Sequence, residues 1–178
     1  MRVIAGRYGG RRLQTPAGAA TRPTADRVRE ALFSVLADRV LDARVLDLFA
    51  GSGALGLEAL SRGAAEATFV DSAPAAVKAV KANLAALDAS AVVRRADARA
   101  FLRTARAQAR HYDLVFLDPP YGMAARIGRE LSEALPAVLT ETAVVVCESD
   151  RRAPLPLELP LIDERRYGDT LIRLHGPR

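Results

Sequence analysis

The chain has 178 residues, half of them hydrophobic and about a quarter charged, the composition of a soluble globular protein and long enough for one self-sufficient domain. A single cysteine excludes an internal disulfide, and no apolar run approaches the roughly 20 residues of a membrane-spanning helix. The net charge of +5 sits entirely at the front: residues 1–30 hold seven arginines against Asp26 and Glu30, whereas the remainder balances nineteen basic against nineteen acidic residues.

A basic front of this kind points to a polyanion, nucleic acid first. Only Lys78 and Lys81 among the 26 basic residues are lysines, so an arginine-heavy composition contributes as well. The first seven residues lack the apolar core of a signal peptide, and Arg11-Arg12 is not followed by an apolar stretch. A reducing, cytoplasmic location is therefore expected.

In chain order, residues 2–15 alternate loosely around Gly9-Gly10 and predict a small β-hairpin. Residues 18–23 read as a loop. From Thr24, a helix is predicted because Val28, Ala31, Leu32, Val35 and Leu36 recur on one face, with Arg27 and Arg29 off that stripe. Strands are then predicted near 44–50, 66–71, 91–95, 112–118 and 143–148, alternating with helices near 54–62, 74–88, 98–109 and 125–135. Gly63 suits a helix C-cap. Two further strand-like runs within 158–174 flank Gly168-Asp169 and predict an antiparallel hairpin. The expected architecture is α/β: a mostly parallel sheet with helices on both faces and an antiparallel edge hairpin. It forms one domain over residues 1–178, with residues 1–40 a basic hairpin-and-helix extension and 41–178 the core.

The first strand runs into Asp47-Leu48-Phe49-Ala50-Gly51-Ser52-Gly53-Ala54-Leu55-Gly56, whose glycines match G-x-G-x-x-G. That pattern alone fits a dinucleotide pyrophosphate on a helix N-terminus. Asp47 argues otherwise, since a carboxylate there repels a pyrophosphate and attracts an ammonium, such as the one S-adenosylmethionine carries. Asp71 ends the second strand, a position from which an acid can hydrogen-bond ribose hydroxyls. Asp97 follows the third strand and could accept from an adenine amine, or simply cap the next helix. Asp118-Pro119-Pro120-Tyr121 follows the apolar run 112–117, so it lies at a strand's carboxyl end, where open α/β sheets place their ligands. The two prolines stiffen the loop and remove backbone donors. What remains is an acceptor-rich loop beside an aromatic ring, suited to holding an exocyclic base amine while the ring stacks on the base.

With these motifs in place, the chain resembles the class I S-adenosylmethionine-dependent methyltransferases and, more narrowly, the RsmD family. The residues carrying the likeness are Arg22 to Phe33, Asp47 to Gly56, Asp118 to Tyr121, and Tyr167-Gly168-Asp169-Thr170. The resemblance implies a Rossmann-like class I methyltransferase fold with a seven-stranded sheet. It also implies methylation of the N2 amine of one guanine in 16S ribosomal RNA, on an assembled or assembling small subunit. It assigns catalysis to Asp118, Pro119, Pro120 and Tyr121, and phosphate contacts to Arg22, Arg27 and Arg29. Cofactor contacts fall to Asp47, Phe49, Gly51, Ser52, Gly53, Asp71, Ser72, Asp97, Ala98 and Asp118. No metal is required, and a monomer without membrane contact is expected. His111 and His175 are read as structural or surface residues, and Cys147, within an apolar strand, as a small hydrophobe.

Three alternatives stay open at this point. A DNA base methyltransferase acting on an adenine or cytosine amine shares the same loops, although no separate target-recognition domain is evident. An NAD-dependent dehydrogenase could use the glycines, but leaves Asp47 and the double proline without a role. A non-catalytic RNA-binding or assembly factor could retain the pocket, against which stands the intact tetrad.

Overall fold

The computed structural model describes residues 1–16, 26–120 and 122–177. Seven strands form one sheet in the order β3-β2-β1-β4-β5-β7-β6. They are β1 (Arg44–Asp47), β2 (Glu66–Asp71), β3 (Val92–Arg95), β4 (Tyr112–Leu117), β5 (Leu139–Asp150), β6 (Leu161–Tyr167) and β7 (Thr170–His175). β1 to β5 run parallel, and β7 pairs antiparallel with both β5 and β6. The helices are α1 (Asp26–Leu36), α2 (Ala54–Ser61), α3 (Pro74–Leu87), α4 (Ala98–Ala107) and α5 (Ala124–Ala134).

The apolar runs explain the layering. β4 is central and buried on both faces from Leu114 on, so Leu114–Leu117 is an unbroken apolar run rather than an alternating one. Leu114 and Phe116 join a core with α1, α2 and α3, while Val115 and Leu117 join a second core with α4 and α5. The order of successive strands reverses between β1 and β4, which stay parallel, and at such a switch point the loops after the two strands part to leave a crevice.

The predicted α/β architecture and its edge hairpin are present, with small differences. β5 begins at Leu139, earlier than expected, because a shift in its pairing with β4 between Tyr112 and Leu114 absorbs the polar residues Glu141 and Thr142. Short 3-10 turns at Ala37–Val40 and Leu135–Val138, which hydrophobic periodicity does not distinguish from helix, extend α1 and α5. Gly63 adopts a positive φ of 101° just after the α2 C-cap, as anticipated. The predicted loop 18–23 and the helix start at Thr24 fall outside the described residues.

The N-terminal hairpin is a narrow antiparallel arm. Arg2 bridges Arg12, the Val3 N–H donates to the Arg11 carbonyl at 2.9 Å, and Leu13 N–H donates to the Met1 carbonyl at 3.1 Å. It does not lie free, because Val3 and Leu13 are buried in the core shared with α1–α3. Three polar side chains fasten it. Glu58, with no exposed surface, accepts from the backbone N–H groups of Ile4 at 2.7 Å and Ala5 at 3.1 Å, and pairs with Arg62 at 2.7 Å. Ser61 accepts from the Tyr8 N–H and donates to the Ala5 carbonyl. The Asn83 amide accepts from the Gln14 N–H at 2.7 Å and donates to the carbonyls of Gln14 and Ser52, each at 2.9 Å.

Glu58→Ala leaves two backbone donors and the Arg62 guanidinium without their acceptor in a dry site. The expected cost is about 2–4 kcal/mol, read as a lowered midpoint in chemical denaturation. Limited proteolysis should then cut the arm first.

Candidate active site

The loop after β1 closes tightly. Gly51 and Gly53 take φ of 55° and 80°, a left-handed conformation that disfavours side chains. A Cβ on Gly51 would meet open space, so the loop's back faces the crevice. Gly56 serves packing instead: a Cβ there would stand 2.4 Å from the Phe69 ring, so only glycine lets α2 approach β2 this closely.

Asp47 is 3% exposed, and its carboxylate accepts from the Gly56 N–H at 3.0 Å. Burial pushes its pKa up to about 7, with the Gly56 bond opposing and the Asp71 charge adding to the rise. Asp71, at the end of β2, accepts from the Gly51 N–H at 2.9 Å and the Ala73 N–H at 2.8 Å. It thereby ties the second strand end to the glycine loop, and a carboxylate retains lone pairs for further donors. Phe49 packs partly buried against the α4–α5 core, Ser52 is nearly buried under the arm, and Ser72 is exposed at the crevice rim.

Asp97 is the N-cap of α4, accepting from the N–H groups of Arg99 at 3.0 Å and Ala100 at 3.3 Å and pairing with the Arg99 guanidinium. Partial burial raises its pKa, but the Ala100 and Arg99 bonds outweigh this and hold it below the usual range. Capping thus accounts for its charge and bonds, and an adenine contact would have to share the same oxygens. Ala98 opens α4 and is buried.

Asp118 follows β4 with no hydrogen bond to its carboxylate among the described residues. It opens to solvent on the crevice side while protein crowds its other sides. Desolvation, then the charges of Glu148 and Asp47, raise its pKa well above the ordinary carboxylate value. Pro119 is buried, and its carbonyl has no partner among the described residues. The Pro120 carbonyl, by contrast, accepts from the Met123 N–H at 3.1 Å, which starts the turn into α5. Among the described residues, the loop therefore presents two adjacent unspent acceptors. Tyr121 lies outside the described residues, as does Arg22.

Strand register brings the acids together. Asp47 aligns with Phe116, which aligns with Val146, so Asp118, one residue past the end of β4, and Glu148, on the adjacent β5, follow at neighbouring strand ends, and the charges of Glu148 and Asp47 both act on Asp118. Glu148 was missed in the sequence. It directly follows the apolar run Val144–Cys147, the same signal that marked the other strand-end acids, but it belongs to no recognised motif.

The arginine assignments need one correction. Arg27 is exposed on α1, but Arg29 has no exposed surface. Its guanidinium donates to the Arg2 carbonyl and pairs with Asp26 at 3.0 Å, and Asp26 also pairs with Arg2. It pins the arm to α1 and does not face a ligand, because the arm closes over a side chain that helical spacing alone places off the apolar stripe. Cys147 is buried, which pushes its thiol pKa up, in keeping with a packing role. His175 is buried with Nδ1 2.9 Å from the Leu159 carbonyl, and His111 is exposed. No helix among the described residues is long and apolar enough to cross a membrane.

Because the folded-state pKa of Asp47 lies above its value in an unfolded chain, its protonated form favours folding. That contribution is complete below the ordinary carboxylate range and lost as pH rises through about 7. Asp47→Asn removes the dependence. Relative to this variant, the wild type should lose about 2–4 kcal/mol of stability between about pH 4 and pH 8, measured by denaturation in the absence of ligands.

The family model described as Conserved hypothetical protein 95 matches residues 1–176. A Bacillus subtilis protein, YlbH, is 38% identical over 192 residues, covering all of both chains. Ribosomal RNA small subunit methyltransferase D of Haemophilus influenzae is 36% identical across 98% of this chain and 93% of its own. Among solved structures, the Thermus thermophilus protein TTHA0928 superposes with a TM-score of 0.84 at 35% identity, over 99% of each chain. With a match that spans its arm, its glycine loop and its strand-end acids alike, the chain belongs to the RsmD methyltransferase family.

Proposed function

We propose that the chain transfers a methyl group from S-adenosylmethionine to the N2 amine of a guanine in 16S ribosomal RNA, on the small ribosomal subunit. The observation that carries this is the pair of unspent acceptors, the Asp118 carboxylate and the Pro119 carbonyl, at the switch point of the sheet. An exocyclic amine has two N–H groups to give, and this pair takes both. The name of the Haemophilus influenzae relative supports ribosomal RNA as the substrate.

The residues present fit the donor. Asp47, whose burial disfavours its charge, gains most from an ammonium partner. Asp71 retains acceptor capacity at the ribose position, and the open space behind Gly51 leaves room for close approach of the backbone. When bound, S-adenosylmethionine supplies an activated methyl group, whose bond to the cationic sulfur breaks as the bond to nitrogen forms, leaving a neutral thioether.

The chain's own part is orientation and proton handling. The lone pair of a purine amine is delocalised into the ring. Accepting both N–H groups localises it toward the methyl. After transfer the nitrogen carries a surplus proton, and Asp118, made more basic by burial and by Glu148 and Asp47, is placed to accept it. Tyr121 supplies a stacking face for the unstacked base, worth about 1–3 kcal/mol. Arg22 and Arg27 are the proposed phosphate contacts, without Arg29.

Asp118→Ala should bind S-adenosylmethionine with near wild-type affinity in calorimetry yet lose turnover by on the order of 100-fold or more. Labelled methyl transfer to methyl-free small subunits, naked ribosomal RNA and duplex DNA, followed by mapping of the modified atom, tests both donor and acceptor. Wild-type turnover should fall as pH drops through a midpoint above the ordinary carboxylate range, as Asp118 protonates. Arg27→Ala should weaken subunit binding and reduce the slope of log affinity against log salt by about one.

A further inference from the structure

Purine and pyrimidine amines differ in what stands beside them. The N6 amine of adenine and the N4 amine of cytosine each flank a ring nitrogen that only accepts. The N2 amine of guanine flanks N1–H, a donor. A group next to the amine's own acceptors can therefore read the base.

Such a group stands in the crevice. β5 lies directly beside β4 with Leu117 opposite Cys147, so the following residues, Asp118 and Glu148, sit side by side on adjacent strand ends. Neighbouring strands are about 4.8 Å apart, close to the reach needed to hold two adjacent N–H groups on one base edge. Alternation along β5 places the Glu148 side chain on the α1–α3 face, that of Val146, and Asp118, one residue past β4, lies near enough to feel the Glu148 and Asp47 charges. Glu148 is half-buried, and its charge acts on Asp118 strongly enough to be second only to desolvation.

Resting on the guanine-N2 function proposed above, we propose that Glu148 is the specificity residue of the site. Its carboxylate accepts the N1–H of guanine while Asp118 and the Pro119 carbonyl hold the N2 amine. The same carboxylate faces an adenine N1 or a cytosine N3 with lone pair against lone pair, and so rejects bases whose amines the Asp118 loop would otherwise accept. Discrimination comes from repulsion as well as attraction, which exceeds what an apolar wall achieves.

The test replaces the guanine at the wild-type methylation position with 2,6-diaminopurine in small subunits reconstituted from ligated ribosomal RNA. This base keeps the N2 amine but has a lone pair at N1. Wild type should prefer guanine in kcat/KM by about 10- to 100-fold. Glu148→Gln can accept through its amide oxygen or donate through its amide nitrogen. It should retain guanine methylation within about tenfold and narrow the preference to less than about threefold. Glu148→Ala, which removes both the acceptor and the repulsion, should lower guanine turnover and likewise narrow the preference. Unchanged S-adenosylmethionine affinity by calorimetry confirms that each variant is folded. A guanine-N2 product with the wild-type preference intact in Glu148→Gln overturns the role of Glu148 alone. A wild-type product on an adenine or cytosine amine overturns both this role and the function on which it rests.

Discussion

Crowded negative charge at the ends of parallel strands is the constraint around which this molecule is arranged. β1, β4 and β5 are hydrogen-bonded side by side, which brings Asp118, just past β4, within reach of the charges of Asp47 on β1 and Glu148 on β5. Desolvation raises the cost of ionising Asp47 and Asp118, and neighbouring charges add to it, Asp71 for the first and Glu148 with Asp47 for the second. Without cations or donors, such a site holds protons where other carboxylates do not. A sulfonium donor bearing an ammonium is the complement of this field.

The rest of the fold keeps that register rigid. Hydrophobic residues alternate from β4 into two separate cores, so neither face can slip by one residue without exposing the other. Gly56 allows α2 to rest against Phe69, which brings its first turn within reach of Asp47. Asp71 ties the next strand to the glycine loop. The antiparallel β6–β7 hairpin closes the far side. Its outer strand carries the ion pairs Asp163–Arg165 and Glu164–Arg166, charges that discourage pairing with another chain.

Much of this was legible in the sequence, for reasons that differ by element. Inner strands are rich in apolar and β-branched residues, so the strands expected near 66–71 and 112–118 are bounded to within a residue of the observed β2 and β4. Asp118 stood out because a double proline after such a run has few other uses. β5 was harder, since its polar opening residues break the pattern and only pairing with β4 extends it to Leu139. Glu148 and Asn83 went unnoticed because their importance depends on which strand or arm lies beside them, and no local spacing encodes that. Arg29 shows the reverse failure: placed off the apolar stripe of α1 it reads as surface, yet the arm folds over it. Burial by a distant segment is invisible to helical periodicity.

The Asn83 amide joins the last residues of the arm to the carbonyl of Ser52 inside the glycine loop. Arm and loop therefore share one fastening. A chain shortened at its N-terminus would lose more than its basic surface: it would uncover Glu58, Ser61 and Asn83 and unseat the loop from behind. Deleting the arm thus cannot report on nucleic-acid affinity alone, and any exchange of arms between relatives must carry the three polar residues that receive it.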